Sequence, residues 1–193
     1  MLEIHNTYFV IRHGESYANE EGIIVSNPDN GIPEYGLTEE GKRQVAQSIE
    51  KIKGDGILDH SIIIVSSDFA RAKETAEIAR AILGSTGITF SPKLRERSFG
   101  IWDKTENANY QKVWDIDRDD SKNPHEGVES VANVLARAIA LIKSLEDQYV
   151  GRKILLVSHG DTLQILQTVF KGVKPSLHRD MKHLKTAEVR RLN

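Results

Sequence analysis

The segment Tyr8-Phe9-Val10-Ile11-Arg12-His13-Gly14 carries much of the information about the fold. Its first four residues are apolar, aromatic or β-branched, which is typical of a strand buried on both faces. The apolar run then stops at a basic, polar turn. Two later segments repeat this pattern: Ile62–Val65 runs into Ser66-Ser67-Asp68, and Lys153–Val157 runs into Ser158-His159-Gly160. The sequence therefore predicts three buried strands that each end in a polar turn.

Helical patterns separate these strands. Thr38 is a candidate N-cap, and Glu39 and Glu40 follow it where the helix dipole favours negative charge. Apolar stripes at helical spacing predict further helices. The predicted elements are helices over about Ala70–Leu83, over Val128–Tyr149 and from Asp161 or Thr162 onward, and short strands over Ile88–Phe90 and Ala187–Leu192.

Alternating strands and helices predict an α/β fold, a three-layer α/β/α sandwich with a mostly parallel central sheet. In such sheets the ligand lies beyond the carboxyl ends of the strands. If the three buried strands are parallel neighbours, His13, Ser66-Ser67 and His159 meet at one edge. With 193 residues and 39% hydrophobic content, we expect one domain over residues 1–193.

Composition excludes several classes of protein. The 26 basic and 28 acidic residues give a formal net charge of -2, so we expect no nucleic acid or membrane partner. With no cysteine, the chain has no disulfide, thiolate metal ligand or cysteine nucleophile. The N-terminus does not resemble a signal sequence, and the apolar runs are too short to span a bilayer. A soluble cytoplasmic protein is expected.

Two arginines and two histidines lie at the predicted strand ends, namely Arg12, His13, Arg71 and His159. Arginine presents planar, permanently charged donors that match phosphate oxygens. Histidine can attack phosphorus and form a covalent intermediate. Gly14 and Gly160 would let the backbone approach a ligand closely. This combination indicates a phosphoryl pocket.

Five segments, in order, resemble the histidine phosphatase superfamily, which includes the cofactor-dependent phosphoglycerate mutases. They are Arg12-His13-Gly14-Glu15-Ser16 with Asn19; Leu37-Thr38-Glu39-Glu40-Gly41 with Gln44 and Ala46; Ser66-Ser67-Asp68-Phe69-Ala70-Arg71-Ala72 with Thr75-Ala76; Leu94-Arg95-Glu96 with Phe99-Gly100 and Trp102; and Ser158-His159-Gly160. The resemblance covers most of the chain, and it implies the fold of the phosphoglycerate mutases.

The resemblance implies a role for each matching residue. His13 is the nucleophile that becomes phosphorylated, and Glu96 is the general acid. The phosphoryl oxygens and substrate are held by Arg12, Asn19, Arg71, His159 and Gly160. Neither a metal ion nor another cofactor is implied. Two alternatives stay open: Glu96 could simply pair with Arg95 or Arg97, and Asn19 could be only a helix cap.

The mechanism requires different protonation states at the two histidines. His13 must be neutral to attack, and nearby cations would lower its pKa. A protonated His159 would stabilise the phosphoryl oxygens, with the bound dianion raising its pKa. Glu96 must hold its proton near neutral pH, which requires a raised pKa, and would later activate water.

The sequence favours a phosphatase that acts on a small phosphorylated metabolite. The segment from Arg97 to Ser158 is too short for the large insertion of the mutases, and Tyr17-Ala18 stands where those mutases usually carry a tryptophan. Phosphoglycerate mutase-type transfer and a phosphoprotein phosphatase remain alternatives. A non-catalytic phospholigand-binding module is disfavoured, because His13 and Glu96 are both present. A homodimer is compatible with the sequence.

Several features match no motif of the family. Lys104 stands where many relatives have glycine, and a solvated lysine is expected. The segment Ile23 to Tyr35 is expected to be a loop that flanks the entrance. The polar loop from Asp117 to Glu126 is expected to cover the pocket, and His125 within it could reach the mouth. The other histidines are expected to be structural or exposed: His5, His60, His178 and His183.

Overall fold

The structure is a computed structural model that describes residues 3–120, 122 and 125–193. Its strands are β1 (Thr7–Arg12), β2 (Ile63–Ser66), β3 (Ile88–Phe90), β4 (Lys153–Ser158) and β5 (Val189–Arg191). They form one sheet in the order β3-β2-β4-β1-β5. The first four strands are parallel and β5 is antiparallel to β1, which confirms the predicted mostly parallel sheet.

The helices lie between and around these strands. They are α1 (Tyr17–Glu20), α2 (Pro28–Gly31), α3 (Glu39–Gly54), α4 (Ala70–Leu83), α5 (Tyr110–Asp117), α6 (Val131–Gln148) and α7 (Gly160–Lys171). Short 3-10 turns cover Pro92–Leu94, Gly100–Trp102, Asn107–Asn109 and Pro175–Asp180. No helix within the described ranges is long and apolar enough to cross a membrane.

The sheet is buried on both faces, since alternate residues of a strand point to opposite sides. Phe9 and Ile11 of β1 pack with α3 and α4 in one apolar cluster. Tyr8 and Val10 pack with α6 and α7 in a second cluster on the opposite face. The prediction of a three-layer α/β/α sandwich is confirmed.

Strand register brings three polar turns to one level. Arg12 at the end of β1 pairs with Ser158 of β4, and Ser66 at the end of β2 pairs with Val157 of β4. The next backbone amides continue the ladder: His13 N donates to Ser158 O at 3.0 Å, and Ser67 N donates to Val157 O at 2.9 Å. His13, Ser67 and His159 therefore leave the sheet side by side.

Most predicted boundaries agree with the structure to within one residue, and the larger differences, in α6 and β5, have local reasons. Helix α6 begins three residues later than predicted because Ser130 is its N-cap, with Ser130 Oγ accepting from Asn133 N at 3.2 Å. Helix α7 begins at Gly160, one residue before the predicted Asp161. Strand β5 is shorter than Ala187–Leu192 because Ala187 has φ 56°, a left-handed conformation that does not continue a strand.

Candidate active site

His13 is oriented by two contacts of its ring. Its Nδ1 lies 2.7 Å from the Gly14 carbonyl oxygen, which fixes the ring hydrogen on Nδ1. Its Nε2 accepts a hydrogen bond of 3.1 Å from Arg71 Nε, so Nε2 carries a lone pair. Burial, together with the charges of Arg71 and Arg12, holds the pKa of His13 well below its ordinary value. The neutral form that attack requires is therefore the stable one.

Hydrogen bonds from part of each guanidinium group hold the two arginines beside His13 in place. Arg71, the second residue of α4, donates from Nη2 to Val25 O at 2.9 Å. Arg12 donates from Nη1 to Leu184 O at 3.1 Å and lies 2.8 Å from His183 Nε2. Arg71 is buried and Arg12 is partly buried, and burial lowers the pKa of each guanidinium.

His159 lies against His13, with ring centroids 5.2 Å apart. Its Nε2 is 2.9 Å from Ser67 Oγ, and this oxygen already accepts from Phe69 N at 3.3 Å. The Ser67 hydroxyl hydrogen has no other acceptor among the described residues, so it donates to His159 Nε2, and the ring hydrogen lies on Nδ1. Burial, then the charge of Arg71, holds the pKa of His159 well below its ordinary value.

In the free protein His159 is neutral, whereas the expectation of a protonated His159 concerns the complex with a bound dianion and stays a prediction. Both histidines are neutral, since both lie in the same desolvated, cationic surroundings. Neutral His159 still presents one N–H from Nδ1. The charged form of His159 requires a bound dianion, whose negative charge would raise the pKa of this histidine.

Three buried nitrogen atoms around His13 have no hydrogen-bond partner among the described residues: Arg12 Nε, Arg71 Nη1 and His159 Nδ1. Buried donors without acceptors are rare in folded proteins. Arg71 and His159 contact the His13 ring, and Arg12 precedes His13 in the chain. An oxyanion offers the acceptors that these nitrogen atoms lack. This part of the structure is suited to bind an anion such as a phosphoryl group.

Glu96 follows the 3-10 turn Pro92–Leu94 and uses one carboxylate oxygen for structure. Its Oε1 accepts from Arg97 N at 2.9 Å, and from Thr162 N and Thr162 Oγ1, each at 3.2 Å. Burial, then the charge of Asp161, raises the pKa of Glu96. Because Oε1 accepts these three bonds, the proton belongs on Oε2.

The alternative that Glu96 merely pairs with a neighbouring arginine is wrong. The Arg95 guanidinium binds Asp68 at 2.6 Å, and the Arg97 guanidinium binds Asp117 at 2.6 Å. In the described parts of the chain, neither guanidinium donates to the Glu96 carboxylate.

A cavity of about 300 Å³ opens beside these groups. Among its lining residues are Arg12, Asn19, Ile23, Glu96, Asn107, Tyr110, Trp114, Gly160, Asp161, Arg179 and His183. His13 is only 3% exposed and is not among the lining residues. The cavity wall brings the candidate acid, Glu96, together with Arg12 and with further cationic and aromatic side chains.

A family model for the histidine phosphatase superfamily, branch 1, matches residues 8–193. The chain belongs to this superfamily. Members of this superfamily are enzymes, and a phosphohistidine mechanism is typical of them. The match confirms the resemblance that the five segments carry.

Similar proteins are named as phosphoglycerate mutases or phosphatases. A probable phosphoglycerate mutase of Salmonella paratyphi B is 30% identical, with 96% of this chain and 83% of the relative aligned. The mycobacterial glucosyl-3-phosphoglycerate phosphatase, solved with VO3, has a TM-score of 0.80 at 22% identity, covering 96% of this chain and 91% of that one. A putative α-ribazole-5'-P phosphatase from Escherichia coli has a TM-score of 0.71 at 22% identity, covering 96% and 89%. The two solved structures confirm the superfamily fold.

Asn19 caps a helix and also lines the cavity. Its Oδ1 accepts from Ser16 N at 3.1 Å and from Ser16 Oγ at 3.0 Å, forming the capping box of α1. These bonds leave the amide nitrogen for a ligand. The capping and binding interpretations of Asn19 are therefore compatible.

Gly14 and Gly160 differ in their packing. A Cβ on Gly160 would lie 3.4 Å from Arg12 Cζ, an ordinary van der Waals distance, so Arg12 packs over the start of α7 without requiring glycine there. A Cβ on Gly14 would lie 2.5 Å from Gly41 O. Gly14 is thus required for the approach of α3, and the expectation that it also serves ligand approach stays a prediction.

The polar stretch Glu106 to Tyr110 is expected from the sequence to help select the substrate, and Tyr110 lines the cavity. Other residues of the site carry no role in the sequence interpretation, among them Ser67, Trp114 and Arg179. Tyr110 and Trp114 stack with ring centroids 5.2 Å apart, and the Arg179 guanidinium lies 3.5 Å from the centre of the Trp114 ring. Spacing of four residues on α5 could have indicated that the two aromatic rings share a face. No motif indicates Arg179.

The remaining histidines differ from one another. His183 is exposed, as expected, and it also contacts Arg12 and lines the cavity. His178 is fully buried, 3.7 Å or less from Asp117 and Asp161. His5 and His60 are exposed, as expected. His125 is exposed and lines a separate cavity of about 30 Å³ beside Arg97, so it does not reach the candidate site.

The segment Ile23 to Tyr35 flanks the cavity, as predicted, and contains the short helix α2. Asp103 ties it down by accepting from Ser26 N at 2.6 Å, and Ile23 lines the cavity. Lys104 is exposed and has φ 59°, a conformation that explains glycine at this position in relatives.

Of the loop expected to cover the pocket, Asp117 instead lies buried at the end of α5, and Ser121, Asn123 and Pro124 lie outside the described residues. Helix α5 supplies the cover through Tyr110 and Trp114.

Proposed function

We propose that the protein is a phosphatase that hydrolyses the phosphate monoester of a small metabolite through a phosphohistidine on His13. The observation that carries this proposal is the set of three buried donors without partners on Arg12, Arg71 and His159, together with the lone pair of His13 Nε2 that Arg71 contacts. A carboxyl group with a raised pKa, Glu96, lies beside the same site.

In the first half-reaction, His13 Nε2 attacks phosphorus and the bond to the leaving oxygen breaks. That oxygen takes the proton from Glu96 Oε2, so an alcohol leaves rather than an alkoxide. Arg12, Arg71 and His159 donate to the non-bridging oxygens, where the transition-state charge lies. Arg71 Nε must first exchange its bond to His13 Nε2 for a phosphoryl oxygen.

In the second half-reaction, the Glu96 carboxylate takes a proton from water, and the oxygen of that water attacks phosphorus. The bond from phosphorus to Nε2 breaks, releasing inorganic phosphate and neutral His13. Throughout, His13 Nδ1 keeps its hydrogen bond to the Gly14 carbonyl oxygen, which stabilises the positive charge on the phosphorylated ring.

The cavity supports a small substrate. Its volume of about 300 Å³ lies at the lower end of the range for small-molecule pockets. The nucleophile is deeply buried, whereas a phosphorylated protein segment needs an open, shallow site. Two similar proteins are named for small phosphorylated substrates, glucosyl-3-phosphoglycerate and α-ribazole-5'-P.

A second candidate is phosphoryl transfer to another metabolite, as the name of the Salmonella relative indicates. It shares the first half-reaction and replaces water with a bound hydroxyl. A product assay separates the two: free inorganic phosphate supports hydrolysis, and label on a second organic product supports transfer.

Cytoplasmic location and independence of metal and cofactor are further parts of the proposal. No group of three or more His, Cys, Asp or Glu side chains within the described residues is arranged to hold a metal ion. Activity in the presence of a strong chelator tests metal independence. A homodimer stays a prediction, which light scattering in solution tests.

The covalent step is tested by rapid quench with a phosphorus-labelled substrate. We expect acid-labile, alkali-stable label on the wild-type chain and on His60→Ala, a control at an exposed histidine. We expect none on His13→Ala, which should also fail to hydrolyse p-nitrophenyl phosphate. Retained turnover by His13→Ala, or absence of trapped label on the wild type, would contradict the proposal.

A further inference from the structure

We infer that His183 is a positioning residue that holds Arg12 in place by accepting its hydrogen bond, and that protonation of His183 releases Arg12 and weakens phosphate binding. The inference rests on the proposed function, because Arg12 is proposed to bind the phosphoryl group. It gives a role to a histidine that belongs to none of the superfamily segments quoted above.

The hydrogen bond between Arg12 and His183 can have only one direction. Arg12 Nη1 lies 2.8 Å from His183 Nε2. A guanidinium group has only donors, so His183 Nε2 must accept. The other ring nitrogen of a neutral histidine then carries the hydrogen.

The second ring nitrogen gives the same answer independently. His183 Nδ1 lies 3.1 Å from Gln164 Oε1. The orientation of the Gln164 amide is set by two other bonds: its Nε2 donates to Met181 O at 2.9 Å, and its Oε1 accepts from Arg179 Nη1 at 2.7 Å. Gln164 therefore presents an acceptor, and His183 Nδ1 donates to it.

Arg12 depends on this contact. Within the described residues, the guanidinium has two hydrogen-bond acceptors, His183 Nε2 and the Leu184 carbonyl oxygen, and both bind Nη1. A Cβ on Gly160 would lie 3.4 Å from Arg12 Cζ and 3.5 Å from His183 Cε1, so the two side chains pack together over Gly160. Held in this way, Arg12 keeps Nε without a protein partner.

A proton on His183 Nε2 would reverse this contact. Two donors, both cationic, would then face each other at hydrogen-bond distance, and Arg12 would have to move. The charged groups around the ring are of both signs: Arg12 and Arg179 are cationic, and Asp161 and Glu188 are anionic. Arg190 donates to the His183 carbonyl oxygen at 3.1 Å, and Lys182 is its neighbour along the chain.

The burial and the charges around His183 together set the pH range in which this histidine takes up a proton. Burial is the largest effect, and with the arginine charges it lowers the pKa of His183 below its ordinary value of 6.5. His183 is therefore neutral at pH 7, and Arg12 is held. Proton uptake, and with it the loss of phosphate binding, is expected only below the ordinary range of histidine.

The test uses inorganic phosphate as the probe and calorimetry as the readout. Glutamine at position 183 can accept from Arg12 and donate to Gln164, but does not titrate, whereas leucine can do neither. At about pH 8 we expect His183→Gln and the control His60→Leu to bind phosphate within about threefold of wild type. We expect His183→Leu to bind about 10- to 100-fold more weakly, as for loss of a charge-assisted hydrogen bond.

The pH readout separates positioning from a purely structural role. The ratio of wild-type to His183→Gln affinity should be near one at about pH 8 and should fall below one as pH drops through the lowered pKa of His183. The titrations of phosphate, His13 and Glu96 are common to both proteins and cancel in this ratio. A ratio that stays constant, or a folded His183→Leu that binds like wild type, would overturn the inference.

This experiment does not depend on the outcome for the proposed function. Phosphate binding is measured without turnover, so it reports on Arg12 even if no phosphohistidine is trapped. Conversely, a constant affinity ratio would leave the trapping experiment on His13 unaffected. If His183→Leu does not fold, the ratio for His183→Gln still decides.

Discussion

The two oxygens of Glu96 have different surroundings, and this difference gives a kinetic prediction. Oε1 accepts three hydrogen bonds from Arg97 and Thr162, which an amide oxygen in Glu96→Gln can keep. The variant loses only the proton on Oε2. We expect it to slow the cleavage of alkyl phosphates by about 100- to 10,000-fold, and that of p-nitrophenyl phosphate much less, because nitrophenolate leaves without a proton. Single-turnover phosphorylation rates measure both.

The pH dependence of the same step has a fixed sign. The pKa of Glu96 is raised, so its acid form persists to higher pH than that of an ordinary glutamate. Phosphorylation by an alkyl phosphate should therefore fall as pH rises through this raised pKa. That alkaline fall should be absent in Glu96→Gln. Equal losses for both substrate types would show that Glu96 is not the acid.

Lys104 gives a stability prediction at a position away from the cavity. Its φ of 59° is left-handed, which costs a non-glycine residue about 1 kcal/mol. Lys104→Gly should raise the free energy of unfolding by about 0.5 kcal/mol, after the greater flexibility of glycine in the unfolded chain is counted. Lys104→Ala, the matched control, should not stabilise. Urea denaturation measures both, and a large loss of activity in Lys104→Gly would point to a substrate contact.

Helix α6 begins at a single capping residue, Ser130. Ser130 Oγ accepts from Asn133 N at 3.2 Å at the start of α6, and Ser130 is buried. Ser130→Ala should lower the free energy of unfolding by about 1 kcal/mol, because it leaves that donor without its cap. Lys143→Ala, at an exposed position of the same helix, should change it by less than about 0.5 kcal/mol. Equal effects would show that the cap contributes nothing specific.

The same helix shows what the sequence can predict about elements. Apolar periodicity predicted α6, because its buried residues recur on one face, such as Val134, Ala138 and Leu145. Periodicity gave the wrong start, since Val128 is also apolar but pairs with Phe99 in an isolated bridge. Tertiary contacts of this kind leave no periodic pattern in the sequence.

The sequence likewise predicts some residues of the candidate site and not others. Arg12, His13, Arg71 and His159 follow strand ends, so the topology of a parallel sheet predicts that they meet, and the structure brings them together. Their catalytic roles stay predictions. His183 and Arg179 reach the cavity through the irregular path of the chain after α7, which no local pattern predicts.

For the molecule as a whole, the anion-binding donors are expected to cost stability. Arg71 is 4% exposed and its Nη1 has no partner in the described residues, while burial lowers its pKa. Such a buried, incompletely paired charge destabilises a fold until a counter-charge binds. An anion that joins the ends of β1, β2 and β4 would remove this cost.

Arg71→Met tests this argument, because methionine can fill much of the same space without a charge. Without phosphate, we expect the free energy of unfolding of Arg71→Met to be at least that of wild type and up to about 1 kcal/mol higher. Phosphate at about 100 times its dissociation constant should stabilise the wild type by about 2.7 kcal/mol and Arg71→Met by far less. Urea denaturation with phosphate, and with chloride at matched ionic strength, measures both. If Arg71→Met is several kcal/mol less stable than wild type in chloride, the Arg71 bonds to Val25 and His13 outweigh the cost of desolvating its charge. The buried arginine would then not lower the stability of the ligand-free protein.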